Sequence, residues 1–291
     1  MKRIGFIGLL SLSLCCSCTQ ESLIEENPVK ENTEVRSCLV SFVPSMMEIT
    51  QGEISGWRSS RTDPLSELAT TLSYWDYLDG ERIQSDTLST FSPFSMNMLY
   101  GTHHVYFLAH SSEDGVMEGM KYTPAKVTET FWEDFEIEAD ENLSGEQSVL
   151  MERVVSKVMV TVKDAMPSGV AKMRLTVDGH IPTLNLITGN GDASSASAYS
   201  ITWNIGSEYI GRSGLTFSVF TFTPEKDKEI SVKVKIEALS ASNEVIYSAE
   251  APSVPLLRNR CTNASCRLFG RNSEMNFSVS NDWNPTLEIE I

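Results

Sequence analysis

The sequence predicts an all-β protein, two tandem antiparallel β-sandwich domains behind an N-terminal leader. Three observations carry that expectation. Short runs rich in β-branched and aromatic residues alternate apolar and polar with a period of two, as half-buried strands do. Turn residues such as Asp79-Gly80 and Gly189-Asn190-Gly191 separate the runs. No long segment repeats its apolar residues at helical spacing, and many short strands broken by turns fit sandwiches.

The first strand is expected at residues 37–49 with Pro44 inside it, and proline fits an edge strand or a strand end. A single short helix is expected at residues 64–69, with Asp63 as its cap and Pro64 in its first turn. Residues 70–78 run into Asp79-Gly80 and residues 81–85 leave it, the pattern of a tight hairpin. Strands follow at residues 94–99 and 103–110, joined near Tyr100-Gly101, and at residues 126–138. The acidic stretch 138–147 has no periodic apolar face, so the domain boundary is placed after it, near residue 150.

The second half alternates more cleanly. Val158, Val160 and Val162 share one face, as do Met173, Leu175 and Val177. Residues 230–239 are the clearest case: Ile230, Val232, Val234, Ile236 and Ala238 point one way, and Ser231, Lys233, Lys235 and Glu237 the other. Further strands are expected at residues 181–187, 199–205, 216–223 and 275–280. The chain closes on residues 286–291, where Leu287, Ile289 and Ile291 face one way and Glu288 and Glu290 the other. Such a strand either completes its own domain or adds to a sheet edge in a neighbouring molecule.

The leader opens with Lys2 and Arg3, continues through the apolar run 4–14, and ends in Cys15, Cys16, Ser17 and Cys18. This is an export signal, and its core is shorter than the about 20 apolar residues of a membrane-spanning helix. It resembles a bacterial lipoprotein signal. Ser17 is the small residue that cleavage needs, so residues 1–17 are read as signal and Cys18 as the lipidated cysteine. Residues 18–36 are polar and acidic and form a tether. Residues 37–150 and 151–291 are the two sandwiches. Acyl chains contribute about 0.8 kcal/mol per buried methylene, so several on one cysteine anchor a protein to a membrane surface.

The net charge of -16 becomes -18 once Lys2 and Arg3 are removed, which argues against nucleic acid as a partner. Of six cysteines only Cys38, Cys261 and Cys266 lie beyond the signal region. Cys261 and Cys266 bridge only if the chain turns between them, because five extended steps separate them by roughly 16 Å. Catalytic spacings are scarce. The chain holds no Gly-x-Ser-x-Gly elbow, His-Glu-x-x-His, phosphate loop or Cys-x-x-Cys, so neither catalytic residue, metal site nor cofactor is expected. His103 and His104 point to opposite faces of a strand, and His180 beside Gly179 reads as a turn residue. Carboxylates cluster at Asp76, Asp79 and Glu81 and at Glu138, Asp140 and Glu141, with no pairing legible across strands. Trp75 and Tyr77 lie opposite Leu72, Tyr74 and Leu78, so one face is core and the other a candidate aromatic platform, with Trp57 and Trp132 as further candidates.

Three segments together resemble a known family: the lipoprotein signal with its tether; Arg153 through Lys163 leading into Met173 through Gly189; and Arg258-Asn259-Arg260 with Thr262, Leu268-Phe269-Gly270 and Trp283. Their order is similar to the fimbrillin superfamily of Bacteroides-type bacteria, and most to its lipid-anchored anchor and minor subunits. The resemblance implies transthyretin-like Greek-key sandwiches. It also implies an outer-membrane lipoprotein that acts in cell adhesion, a fimbria built by β-strand addition, and other fimbrial subunits and surface ligands as partners. An arginine-specific protease removes an N-terminal strand from stalk subunits of that family, which makes Arg36, Arg58 and Arg61 the candidate cut sites here. Leu287, Ile289 and Ile291 are the candidate donor residues. A surface glycan-binding lipoprotein is the alternative, and an enzyme with dispersed carboxylates is the third reading.

Overall fold

The computed structural model describes residues 36–46, 64–270 and 274–280. Among the described residues nineteen strands follow in chain order. They are β1 (Ser37–Met46), β2 (Thr71–Leu78), β3 (Glu81–Leu88), β4 (Phe94–Leu99), β5 (Gly101–His110), β6 (Gly115–Glu118), β7 (Lys121–Pro124), β8 (Phe131–Ala139), β9 (Glu146–Arg153) and β10 (Val155–Val162), then β11 (Lys172–His180), β12 (Leu184–Asn185), β13 (Asn190–Gly191), β14 (Ser197–Asn204), β15 (Leu215–Phe222), β16 (Ile230–Leu239), β17 (Val245–Leu256), β18 (Cys261–Arg267) and β19 (Glu274–Ser280). One helical turn, α1 (Leu65–Leu68), precedes β2. Among the described residues no helix is long and apolar enough to cross a membrane.

The first nine strands, less β6 and β7, form a seven-stranded sheet in the order β3-β2-β5-β8-β9-β1-β4. It folds over on itself because β8 and β9 pair at only two positions, Phe131 with Arg153 and Trp132 with Glu152. The halves β3-β2-β5-β8 and β9-β1-β4 therefore face each other as two layers. Phe42, Phe107, Phe131, Met98 and Met151 are fully enclosed between them. Gln84 on β3 donates to the β4 carbonyl of Asn97 (3.1 Å), tying the two sheet edges together. The β2–β3 hairpin turns at Asp79 (φ 51°) and Gly80 (φ 80°), both left-handed, as a tight hairpin turn requires.

Residues 155–280 form the second sandwich, from sheets ordered β15-β10-β18-β19 and β14-β11-β16-β17. Its core alternates as expected: Val158, Val160 and Val162 meet Met173, Leu175 and Val177, with Val232, Val234, Ile236 and Phe217 beside them. A small sheet, β13-β12-β7-β6, pairs Tyr122 with Leu184 and so joins the hairpin at 115–124 to the second sandwich. A third cluster, containing Trp75, Tyr106, Leu108, Tyr122, Leu184 and Phe222, fills the space around it.

Several expectations need correction. The sheets are antiparallel-rich but contain two parallel pairs, β1 with β9 and β10 with β18. A period of two marks faces and not strand direction, so the pattern carries no sign of this. β1 is an interior strand, yet Pro44 lies beyond its last pairing with β4, Phe42 with Phe94, so the proline sits where one side of the ladder has ended. Pro64 occupies the N-cap position of α1, without a side-chain cap, and Asp63 lies outside the described residues. The strand expected at 181–187 shrinks to Leu184–Asn185, because Ile181, Leu184 and Leu186 are buried in the third cluster from turns. Strands β6, β7, β9, β17 and β18 have no counterpart in the sequence pattern, and Asn190–Gly191, expected in a loop, forms β13 against β12.

Candidate assembly site

β1 is the element best placed to serve assembly. Its inward residues Val40 and Phe42 are 1% and 0% exposed, and Pro44 is buried too. The Phe42 ring stacks on Phe94 (5.8 Å), tilts against Phe107 (5.6 Å) and meets Phe135 edge-on (5.8 Å). Its backbone runs antiparallel to β4 and parallel to β9, so two strands depend on it for hydrogen bonds. The Ser45 hydroxyl donates to the Val149 carbonyl (3.4 Å), and the Tyr100 amide donates to the carbonyl of Arg36 (3.0 Å). The strand therefore fills a slot whose walls are β4 and β9 and whose floor is aromatic. Cys38, half-buried in it, has its thiol raised by burial and by nearby Asp140.

Arg36, exposed, begins the described chain at the mouth of this slot. Arg58 and Arg61 fall in residues 47–63, which connect β1 to α1 and lie outside the described residues. Cys18, Leu287, Ile289, Ile291 and Trp57 also lie outside them.

The groups singled out for chemistry are dispersed. Asp76 and His103 are both fully buried, with Asp76 Oδ1 and His103 Nδ1 2.6 Å apart. His103 Nε2 donates to the Leu99 carbonyl (2.8 Å), and Gln84 Nε2 donates to Asp76 Oδ2 (3.0 Å). Every polar atom of this pair points into the fold, where it ties β2, β3 and β5 to the residue before Tyr100. His104, on the opposite face as expected, is half-exposed and lies 3.2 Å from Asp134. His110 contacts Tyr122 (3.2 Å) and is held toward its neutral form by burial. His180 is no turn residue. It ends β11 at a bulge, stacks on Tyr199 (4.6 Å), donates to the Phe220 carbonyl (3.2 Å), and burial lowers it to about 4. Asp79 sits in the hairpin turn and Glu138 accepts from Thr102, while Asp140 accepts from the Asn142 and Leu143 amides. Among the described residues no group of three or more His, Cys, Asp or Glu is arranged to hold a metal.

The aromatic platform is not present at Trp75 or Trp132. Trp75 is 8% exposed in the third cluster. Trp132 donates through Nε1 to the Leu186 carbonyl (2.8 Å), with Gly189 packed against its ring. No disulfide joins Cys261 and Cys266, which sit in the extended strand β18 and face opposite sides of it.

The residues that pattern-reading missed lie at the joint between the sandwiches. Arg153 pairs with Glu129 and donates to Asn259 Oδ1 (2.9 Å), its guanidinium lying 5.0 Å over the Phe131 ring. Arg258, 6% exposed, donates to the Gly189 carbonyl and to Asn190 Oδ1, each at 2.5 Å. Arg153 and Asn259 thus clamp this joint, and Arg258 braces Gly189 and Asn190 within the second sandwich. Asn259 holds a left-handed backbone (φ 56°) that turns its side chain to Arg153.

This geometry defines a class: a tandem β-sandwich protein with an N-terminal strand seated between two others. The chain belongs to DUF6562, a family of unknown function, whose model matches residues 127–290. No curated protein matches it. Among solved structures it is similar to a candidate adhesin from Bacteroides ovatus (12% identity, 96% of this chain and 95% of that chain, TM-score 0.48). It is also similar to the fimbrial anchor protein Mfa2 (9%, 84% and 97%, TM-score 0.47) and the C-terminally truncated tip fimbrial protein Mfa3 (11%, 84% and 100%, TM-score 0.43), both from Porphyromonas gingivalis.

Proposed function

We propose that the protein is an outer-membrane lipoprotein, held through lipid on Cys18, that serves as an anchor or minor structural subunit of a fimbria. Its sandwiches divide near residue 150, and it joins other subunits by β-strand addition at the cell surface. The observation that carries this reading is the seat of β1 between β9 and β4, with Val40 and Phe42 buried by it. A slot that takes one extended strand from the N-terminal side offers backbone partners and side-chain pockets to any strand of matching alternation. Retained, β1 keeps the slot closed and the chain tied to its lipid. A cut after Arg58 or Arg61 severs both, and a cut after Arg36 releases the lipid alone. The fimbrillin-like order of the Arg153–Lys163, Met173–Gly189 and Arg258–Thr262 segments supports the same reading.

Mass spectrometry of the N-terminus of protein purified from cells tests it. The anchor reading expects acylated Cys18 as the first residue. Recovery only of chains beginning at Ser59 or Thr62 overturns it in favour of a stalk subunit.

A further inference from the structure

A groove of about 550 Å³ opens at one end of the first sandwich, between α1 and the connection from β3 to β4. β3 and β4 stand at opposite ends of the sheet order, so residues 89–93 cross from one layer to the other beside the turn of α1. Both walls are tied down. Leu65 and Ala69, at the two ends of α1, are buried in the first core, and the Leu68 carbonyl accepts from the Ser111 hydroxyl (3.5 Å). The Thr70 amide donates to the His110 carbonyl (3.1 Å). On the other wall Phe91 packs against the same core. Pro93 fixes the backbone ahead of Phe94, whose ring stacks on Tyr74 (5.5 Å).

The lining sets this groove apart. Ser66 and Thr70 line it from the α1 side, and Ser89, Thr90 and Ser92 from the other, with Phe91 among them. Elsewhere sheet hydroxyls satisfy one another, as Ser73 does with Thr87, Thr123 with Thr183 and Thr176 with Ser200. Among the described residues none of the five groove hydroxyls has a hydrogen-bond partner in the fold. No charged residue lines the groove, in a chain of net charge -16. An anion finds no cation in this lining, and a metal ion finds no carboxylate. A hydrocarbon would strand the hydroxyls without water. The matching ligand carries its own donors and acceptors, no charge, and one apolar face for the Phe91 ring. A neutral pyranose has all three, with hydroxyls around its edge and C–H groups on its face.

We propose that this groove is a docking subsite for a short neutral saccharide, with a sugar ring against Phe91 and its hydroxyls bonded to the serines and threonines of both walls. The volume lies in the range of small-ligand clefts, roughly 300–1,000 Å³. Each hydrogen bond formed replaces one to water, so binding is weak, in the millimolar range. Sugar recognition thus belongs to the α1 end of the first sandwich and not to Trp75 or Trp132, whose rings are taken up by packing. No residue of β1 lines the groove, so its failure to bind sugar leaves the fimbrial reading standing.

Saturation-transfer NMR on the full-length protein tests this. The probes are the methyl glycosides of glucose, galactose, mannose and N-acetylglucosamine, with the methyl glycoside of glucuronic acid as the charged counterpart. The expected result is millimolar binding of at least one neutral probe, with the glucuronide several-fold weaker. Ser89→Ala combined with Thr90→Val removes two hydroxyls at exposed positions and should weaken the neutral probe several-fold. Phe91→Leu keeps an apolar side chain on the core, removes the ring, and should do the same. Leu39→Ala, outside the groove, should leave binding unchanged. No binding of any neutral probe, a glucuronide bound equally or more tightly, or neutral binding untouched by either groove variant overturns the proposal.

Discussion

Asp76 and His103 show how a pair of chemically suggestive residues is absorbed by structure. Each is sealed from water, and each ring or carboxylate atom is spoken for by Leu99, by Gln84 or by the other member. Removing one partner of a buried, hydrogen-bonded pair costs about 3–5 kcal/mol, because the other is left without compensation. Asp76→Ala should therefore lower the urea midpoint strongly without a new activity being lost. Glu133 carries a second expectation. Burial, with Asp134 and Glu152 nearby and Lys226 opposing, raises its carboxyl to about 7 from an ordinary 4.5. The folded state then binds its proton more tightly than the unfolded chain, and this group erodes stability as pH rises from about 4.5 to about 7. Glu133→Gln should raise the melting temperature at pH 8 and change it little at pH 4, as scanning calorimetry at both values would reveal. Burial, reinforced by Asp164, pushes the Cys266 thiol up to about 12. It should resist iodoacetamide in the native protein at pH 8 and react after denaturation.

At the level of single elements, β1 is the strand on which most depends. Truncating a buried phenylalanine costs about 3–5 kcal/mol, and Phe42 touches rings from β4, β5 and β8 at once. Phe42→Ala should produce a loss of that size in denaturant unfolding, whereas Leu39→Ala, at a position 73% exposed, should be nearly neutral. β11, whose alternation is regular in the sequence, keeps one dry face over Met173, Leu175 and Val177. β16 matches Ile230–Leu239 at both ends. Two strands that the pattern does not show, β17 and β18, lack such alternation. β17 begins with Val245, Ile246 and Tyr247 all exposed and carries Pro252 and Pro255, so its alternation is scrambled along an outer strand. β18 hides Cys261, Thr262, Ala264 and Cys266 on both faces and offers no period to read. β2 was legible as a strand but not as a doubly covered one, since Trp75 and Tyr74 are buried on opposite sides.

Over the whole molecule, Arg153 crosses the joint between the sandwiches to Asn259, and Arg258 braces Gly189 and Asn190 beside it. Arg258→Ala would leave the Gly189 carbonyl and the Asn190 amide without their donor, a loss of about 1–3 kcal/mol at a buried site. Differential scanning calorimetry should show the variant melting earlier. The chain alone specifies the all-β class, the Asp79-Gly80 hairpin and the alternating core of the second sandwich, because strand periodicity and turn chemistry are local properties. The apolar run 4–14 with Cys15, Cys16 and Cys18 behind it is also legible there, since it lies in consecutive residues. Strand direction, the insertion of β1 beside β9, the closure of Gln84 on Asn97 and the burial of Lys157 arise only in three dimensions. Each depends on residues that are far apart in the chain and meet because two layers must bury their apolar faces against each other, and alternation says which face is dry without saying what covers it.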